Sequence, residues 1–216
     1  VKICGLTRVE DAELAVELGA WAVGMVFHDA SPRSCSLDQA RLISASLRRR
    51  AQLCGVYVNA PLERIEHDCE ELALALVQLH GDEGPSFCAE VARRTGARVI
   101  KAAQVHDAGD LRDLERFHVD FHLLDGAPAR AGGARGGTGR TFDWSLLAVR
   151  RSRVPLIVSG GLDAGNVGAA IAATRPYAVD TASGTEAAPG RKDPERLRAF
   201  MGAVGAAPAA GEHARP

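Results

Sequence analysis

Short runs of apolar residues alternate with longer stretches of helical spacing along nearly the whole chain. Residues 2–4, 22–27, 53–58, 75–79, 98–103, 119–124, 155–158 and 178–180 read as strands, because few polar residues interrupt them. Between and after them, residues 9–18, 37–49, 61–72, 86–94, 107–116, 142–149, 164–173 and 194–201 read as helices. The punctuation agrees. Gly19 and Gly96 stand where helices end, Ser36 where an N-cap belongs, and Pro61 where a helix opens. Near-continuous apolar strands belong to parallel sheets covered on both faces, whereas half-exposed sheets alternate polar and apolar positions. Eight strand–helix pairs without a long insertion predict a single α/β domain, a (β/α)8 TIM barrel of near-minimal length. An open doubly wound sheet is the alternative. It usually carries a Gly-rich turn after its first strand, and Gly5-Leu6-Thr7-Arg8 is not such a turn. The barrel is expected over residues 1–202, with the Ala/Gly/Pro-rich residues 203–216 a disordered tail.

Composition narrows the functions. The 216 residues carry 26 Lys and Arg against 27 Asp and Glu, a formal charge of −1. No basic excess advertises a nucleic-acid or membrane-surface partner, and no apolar run of about 18 residues offers a membrane span. Val1-Lys2-Ile3-Cys4-Gly5 lacks the apolar segment of a signal peptide. The absent Met predicts that one or a few residues precede Val1. Cysteines stand at positions 4, 35, 54, 69 and 88, an odd count with no C-x-x-C. A disulfide framework and a structural zinc site are therefore not expected, and a reducing, cytoplasmic compartment is.

In a barrel of this kind, chemistry sits at the C-terminal ends of the strands. Cys4 and Thr7 fall there after the first strand, Arg33 after the second, His80 after the fourth, Asp125 after the sixth and Asp180 on the eighth. Period-two alternation puts Lys2 and Cys4 on one face of the first strand, with apolar Ile3 facing the helices. Asp125 shares its face with Leu123 and Phe121. Both Cys4 and Asp125 are thus expected to point inward at the rim. An ammonium beside a cysteine favours the thiolate, so the two residues form a candidate acid–base pair. A packing role for Cys4 and a loop-capping role for Asp125 fit the same positions.

Gly160-Gly161 before a helix and Ser183-Gly184 after the last strand have the makings of a phosphate site, or are ordinary tight turns. The Gly-rich run 132–140, with Gly136, Gly137, Thr138 and Gly139, reads as a substrate-ordered lid or as a linker. Arg33 suits a substrate carboxylate, or is a solvated loop arginine. Asp180 reads as an acid that orients a neighbour or as a satisfied core carboxylate. His80 reads as a substrate contact or a local hydrogen-bond partner. No metal site is evident.

Lys2-Ile3-Cys4-Gly5-Leu6-Thr7 resembles the opening strand of the phosphoribosylanthranilate isomerases of tryptophan biosynthesis. Further blocks follow in that family's order. They are Val26-Phe27 with Ser31-Pro32-Arg33, Gly55-Val56-Tyr57-Val58-Asn59, Val77-Gln78-Leu79-His80-Gly81 and Leu123-Leu124-Asp125. Next come Gly136-Gly137-Thr138-Gly139 with Phe142-Asp143-Trp144, Gly160-Gly161-Leu162, Asp180 with Ser183-Gly184, Glu186, and Lys192-Asp193. Each block is weak alone, but the ordered set is specific.

The resemblance implies a cytoplasmic, cofactor-free aldose–ketose isomerase, monomeric or homodimeric. Its reaction is the Amadori rearrangement of N-(5-phosphoribosyl)anthranilate to 1-(2-carboxyphenylamino)-1-deoxyribulose 5-phosphate. It implies Asp125 as the general acid that opens the furanose and Cys4 as the general base at C2. Arg33 would meet the anthranilate carboxylate, with Lys2, His80 and Asp180 as further substrate-site residues. Gly160, Gly161, Ser183 and Gly184 would hold the phosphate. A thiolate near neutral pH requires lowering the ordinary cysteine value of ~8.5. Thr181-Ala182 stands where the family usually has an apolar residue and Ser, and Ser159 where Ala is common. Two other readings compete: an isomerase of the histidine-pathway aminoaldose, and a non-catalytic barrel that binds phosphorylated ligands. Enzymes serving both pathways use two carboxylates, and Cys4 argues against that.

Overall fold

The structure, a computed structural model, describes residues 1–47, 49–126 and 143–207. Eight parallel strands close into a barrel in sequence order: β1 (Lys2–Ile3), β2 (Ala22–Val26), β3 (Gln52–Tyr57), β4 (Leu76–Leu79), β5 (Arg98–Val105), β6 (Phe121–Gly126), β7 (Leu156–Val158) and β8 (Ala178–Thr181). Pairing of β8 with β1 shuts the ring. Helices α1 (Val9–Glu17), α2 (Leu37–Leu47), α3 (Leu62–Leu72), α4 (Pro85–Thr95) and α5 (Ala108–Leu114) follow the first five strands. Helices α6 (Val167–Thr174) and α7 (Pro194–Ala206) follow β7 and β8.

Local chemistry fixes the helix ends. Pro85 opens α4, and Gly96 closes it in the left-handed region. The Asp107 and Asp110 side chains cap α5 reciprocally. The Asp193 carboxylate accepts the amides of Glu195 and Arg196, and Pro194 sets the first turn of α7.

The strands are mostly apolar because each is buried twice. Inward residues such as Cys54, Val56, Leu76, Ile100 and Leu123 fill the barrel. Their outward neighbours Leu53, Tyr57, Val77, Val99 and Leu124 pack against the helices. Toward the C-terminal ends the buried positions turn polar, with Gln78, Asp125, Ser159 and Asp180.

Three features depart from the sequence reading. The helix expected over 142–149 is a 3₁₀ turn, Trp144–Val149, entered through the Asp143 carboxylate. None of its residues is fully buried, so no continuous apolar face holds a longer α-helix on the sheet. Between β8 and α7 lie a 3₁₀ turn, Ser183–Thr185, and an antiparallel hairpin of β9 (Glu186–Ala188) and β10 (Arg191–Lys192). Strands this short carry no hydrophobic periodicity to read. Helix α7 also runs to Ala206, past the boundary expected at residue 202. Among the described residues, no helix is long and apolar enough to cross a membrane.

Candidate active site

Lys2 and Cys4 point into the barrel, as alternation predicts. A Cβ built on Gly24 of the neighbouring strand would meet Cys4 Sγ and Lys2 Nζ. Lys2 is fully buried beneath the mouth, and its ammonium lies 2.7 Å from Asp180 Oδ1 across the β1–β8 register. Ser159 Oγ donates to the other oxygen of Asp180 at 2.9 Å. Burial works against the Lys2 ammonium, but Asp180, with Cys4 and Cys54, holds it above the ordinary lysine value.

Lys2 acts on the Cys4 thiol in the expected direction, but it does not decide the balance. Burial pushes that thiol up, Lys2 pulls it down and Asp180 pushes it up again, with Lys192 pulling down; the net direction is upward. Lys2 favours the thiolate more than Asp180 opposes it, and burial outweighs both. All five cysteines are unpaired and buried.

Asp125 ends β6 in register with Gln104 on β5. Its Oδ2 stands 3.5 Å from His80 Nε2, which approaches from just beyond β4. His80 Nδ1 is 3.2 Å from Gln78 Nε2. The buried atoms Gln78 Oε1, His80 Nε2 and Gln104 Nε2 lack hydrogen-bond partners among the described residues. Unpaired buried polar atoms are uncommon in a finished core, and three around one carboxylate mark a mouth that receives a polar molecule. Gly160 turns toward this acid in the left-handed region, where a Cβ would collide with the Gly126 amide and stand 3.0 Å from Asp125 Oδ1.

A cavity of about 580 Å³ opens beside that turn, lined by Gly161, Asp163, Ala164, Ser183, Gly184 and Arg196 among others. Gly160 shapes the turn but does not line the cavity. The Asp163 carboxylate accepts the amides of Gly165 and Asn166, and Asn166 Nδ2 donates to the Gly161 carbonyl at 2.8 Å. Thr181, the departure noted near the phosphate turn, donates its hydroxyl to the Leu162 carbonyl at 2.7 Å. It ties β8 to the turn after β7.

Arg33 is clamped by Glu186, with Nε 2.9 Å from Oε1 and Nη2 2.8 Å from Oε2. Its Nη1 edge stays clear of that clamp. Burial pushes the Glu186 carboxyl up, but the Arg33 fork and Lys192 more than offset this and hold it below the usual glutamate value. Lys192 Nζ donates to the Ala182 carbonyl at 2.9 Å and lies 3.3 Å from Glu186 Oε1. Thr7 Oγ1 fastens the hairpin tip by donating to the Gly190 carbonyl at 2.6 Å.

The structure therefore gathers Lys2, Cys4, His80, Asp125 and Asp180 at one end of the barrel, with Gly161, Ser183 and Gly184 around the adjoining cavity. Gly136, Gly137, Thr138 and Gly139 lie outside the described residues. Sequence reasoning gave no role to Gly24, Gln78, Glu186, Lys192 or Arg196. For Gln78 the signal was available: it shares its strand face with His80. Among the described residues, no group of three or more His, Cys, Asp or Glu is arranged to hold a metal ion.

Comparison with known proteins adds sequence and structural relatives. Residues 1–203 match the family model of N-(5'-phosphoribosyl)anthranilate (PRA) isomerase. The N-(5'-phosphoribosyl)anthranilate isomerase of Pelobacter propionicus is 46% identical over 201 residues, 93% of each chain. A crystal structure of monomers generated from the dimeric phosphoribosylanthranilate isomerase of Thermotoga maritima superposes with a TM-score of 0.82. It is 38% identical and covers 94% of this chain and 97% of that one. A phosphoribosylanthranilate isomerase in complex with reduced 1-(o-carboxyphenylamino)-1-deoxyribulose 5-phosphate gives a TM-score of 0.81 at 40% identity, covering 94% of this chain and 97% of that one.

Proposed function

The chain belongs to the N-(5'-phosphoribosyl)anthranilate isomerase family and catalyses that isomerisation, and we propose that Cys4 is its general base and Asp125 its general acid. The observation that carries the assignment is the inward placement of both side chains at the same end of the barrel. The sulfur lies over Gly24, and the carboxylate sits beside the unpaired His80 and Gln104 atoms.

The chemistry follows from those positions. Asp125 delivers a proton to the furanose ring oxygen as its bond to C1 breaks, leaving a Schiff base between C1 and the anthranilate nitrogen. The Cys4 thiolate takes the C2 proton, and that electron pair moves to form the enolamine. Loss of the enol proton and protonation at C1 give the 2-ketose. Hydrogen and electrons are redistributed within one molecule, so the reaction balances without an external oxidant or reductant.

Arg33 offers its Nη1 edge to the anthranilate carboxylate while Glu186 holds the rest of the fork. The phosphate lies in the cavity bounded by Gly161, Ser183 and Gly184, where loop amides and the start of α6 favour an anion. Gly160 shapes this subsite from behind. His80 steers Asp125, and the Lys2–Asp180 pair forms the floor beneath the base.

Loss of anthranilate-type fluorescence on mixing purified protein with freshly generated phosphoribosylanthranilate measures the reaction. Cys4→Ser and Asp125→Asn are each expected to lower kcat by roughly 10²–10⁴, the ordinary weight of one general acid or base. Near-full activity in either variant overturns that residue's role.

A further inference from the structure

Two buried ammonium groups act on Cys4, and they differ in how their charge is matched. Lys2 lies on the same strand and Asp180 on β8; the two form a one-to-one pair at 2.7 Å. Lys192 reaches over from β10. Its Nζ rests on the Ala182 carbonyl, one residue beyond Thr181, whose own carbonyl accepts the Cys4 amide at 2.9 Å. The chain-order gap is large, but the barrel closure makes β1, β8 and the hairpin neighbours.

Glu186 is the carboxylate nearest the Lys192 ammonium, and it is shared. Arg33 takes both of its oxygens at 2.8–3.0 Å, and Lys192 stands farther off at 3.3 Å. That is two cations for one carboxylate. Asp11, from α1, accepts the Lys192 backbone amide at 2.9 Å and so faces its main chain rather than its ammonium. Lys192 is 2% exposed, so water screens little of the surplus. Cys54 on β3 is the remaining titratable neighbour of the sulfur, and burial keeps its thiol protonated, at about 12.

We propose that Lys192, held by Glu186 and the hairpin after β8, is a positioning residue whose unmatched positive charge stabilises the Cys4 thiolate. Lys2, although paired with Asp180, acts on the sulfur in the same direction and more strongly, and Lys192 adds to it. Burial pulls the Lys192 ammonium below the ordinary lysine value, with Glu186 and then Cys4 opposing that shift, and Lys192 in turn favours the charged form of Cys4. Glu186 and Arg33 thereby link the substrate-carboxylate site to the base, because one carboxylate holds both cations. This inference rests on Cys4 being the base, and its test reads the thiolate directly.

The experiment is the pH dependence of Cys4 alkylation by iodoacetamide, followed at the Cys4 peptide by mass spectrometry and set beside the pH profile of kcat. Lys192→Met is expected to move the Cys4 midpoint up by about one unit, lowering kcat near neutral pH by roughly tenfold, with Lys192→Arg restoring most of both. Glu186→Gln leaves Lys192 and Arg33 without their shared anion and is expected to move the midpoint down; loosening that admits water to the thiol would do the same, so the shift counts only where the unfolding curve of the variant matches that of the wild type. Folding of each variant is read by circular dichroism. A folded Lys192→Met protein with the wild-type alkylation profile overturns the proposal. If that variant does not fold, an unchanged or raised midpoint in Glu186→Gln overturns it instead. Full activity in Cys4→Ser would remove the base assignment, while the alkylation midpoints would still decide whether Lys192 sets the thiolate.

Discussion

Gly24 on β2 lies directly against Cys4: a Cβ there would stand 2.9 Å from the sulfur and 3.2 Å from Lys2 Nζ. The missing side chain is the space the base occupies. Gly24→Ala is therefore expected to fold, because the sulfur is the end of a side chain that can swing aside. The displaced thiol then no longer meets C2 in line, and misplacement by about 1 Å can cost about 10²-fold in rate. Steady-state kinetics should show kcat reduced by roughly 10–100-fold with KM little changed. A wild-type kcat would mean that the sulfur does not act from this position.

Gly184 makes the opposite kind of contact. A Cβ on it would lie 2.0 Å from the Leu162 carbonyl, which is backbone and cannot swing away. The turn around the anion cavity must open. Gly184→Ala is expected to raise KM for the phosphorylated substrate about tenfold or more and to weaken competition by inorganic phosphate in parallel. The alkylation profile of Cys4 should stay where it is. A variant with unchanged KM and altered kcat would move the phosphate site elsewhere.

The barrel was legible because its strands are buried on both faces, so runs such as 22–27 and 53–58 stand out without any polar interruption. Period two then placed Cys4 inward from Ile3, and Asp125 inward from Leu123 and Phe121. Other features depend on closure of the ring. Arg33 and Glu186 are 153 residues apart, and no local pattern encodes a partner at that distance. The thiol balance at Cys4 depends on closure too: the sequence places Lys2 beside it, but not the burial that pushes the thiol up nor the Asp180 carboxylate that adds to it. The hairpin carrying Glu186 and Lys192 is too short for periodicity to reveal.

The buried pair of Lys2 and Asp180 gives a stability test. Asp180→Leu leaves the Lys2 ammonium without its carboxylate, in a place water does not reach. Breaking such a pair from one side costs about 3–5 kcal/mol, whereas replacing both partners by apolar groups of similar size is often near neutral. Denaturant unfolding should therefore show a large loss for Asp180→Leu and substantial recovery in Lys2→Met/Asp180→Leu. The double variant still lacks the acceptor for Ser159 Oγ, so recovery is expected to be incomplete. A double variant as unstable as the single one would mean that the pair does not act as a unit.

His122 predicts how stability depends on pH. It lies on the outward face of β6, fully buried, with Nε2 2.9 Å from the Phe117 carbonyl. Arg150 Nη2 stands 3.4 Å from Nδ1, which suits a neutral ring that accepts there and donates from Nε2. Burial pushes the ring down to about 4, with the Phe117 carbonyl opposing the shift and Arg150 adding to it. Unfolded histidine titrates near ~6.5. The unfolded chain therefore binds this proton first, and stability falls as pH drops from about 6.5 to about 4, being fully present above that window. The shift corresponds to about 3 kcal/mol. His122→Gln keeps a donor for Phe117 but cannot ionise. Carboxylates titrate alike in both proteins, so the difference between their urea-unfolding curves isolates the ring. Wild type should lose about 2–3 kcal/mol more than the variant between pH 7 and pH 4. Parallel losses would place the protonation of His122 outside the folding equilibrium.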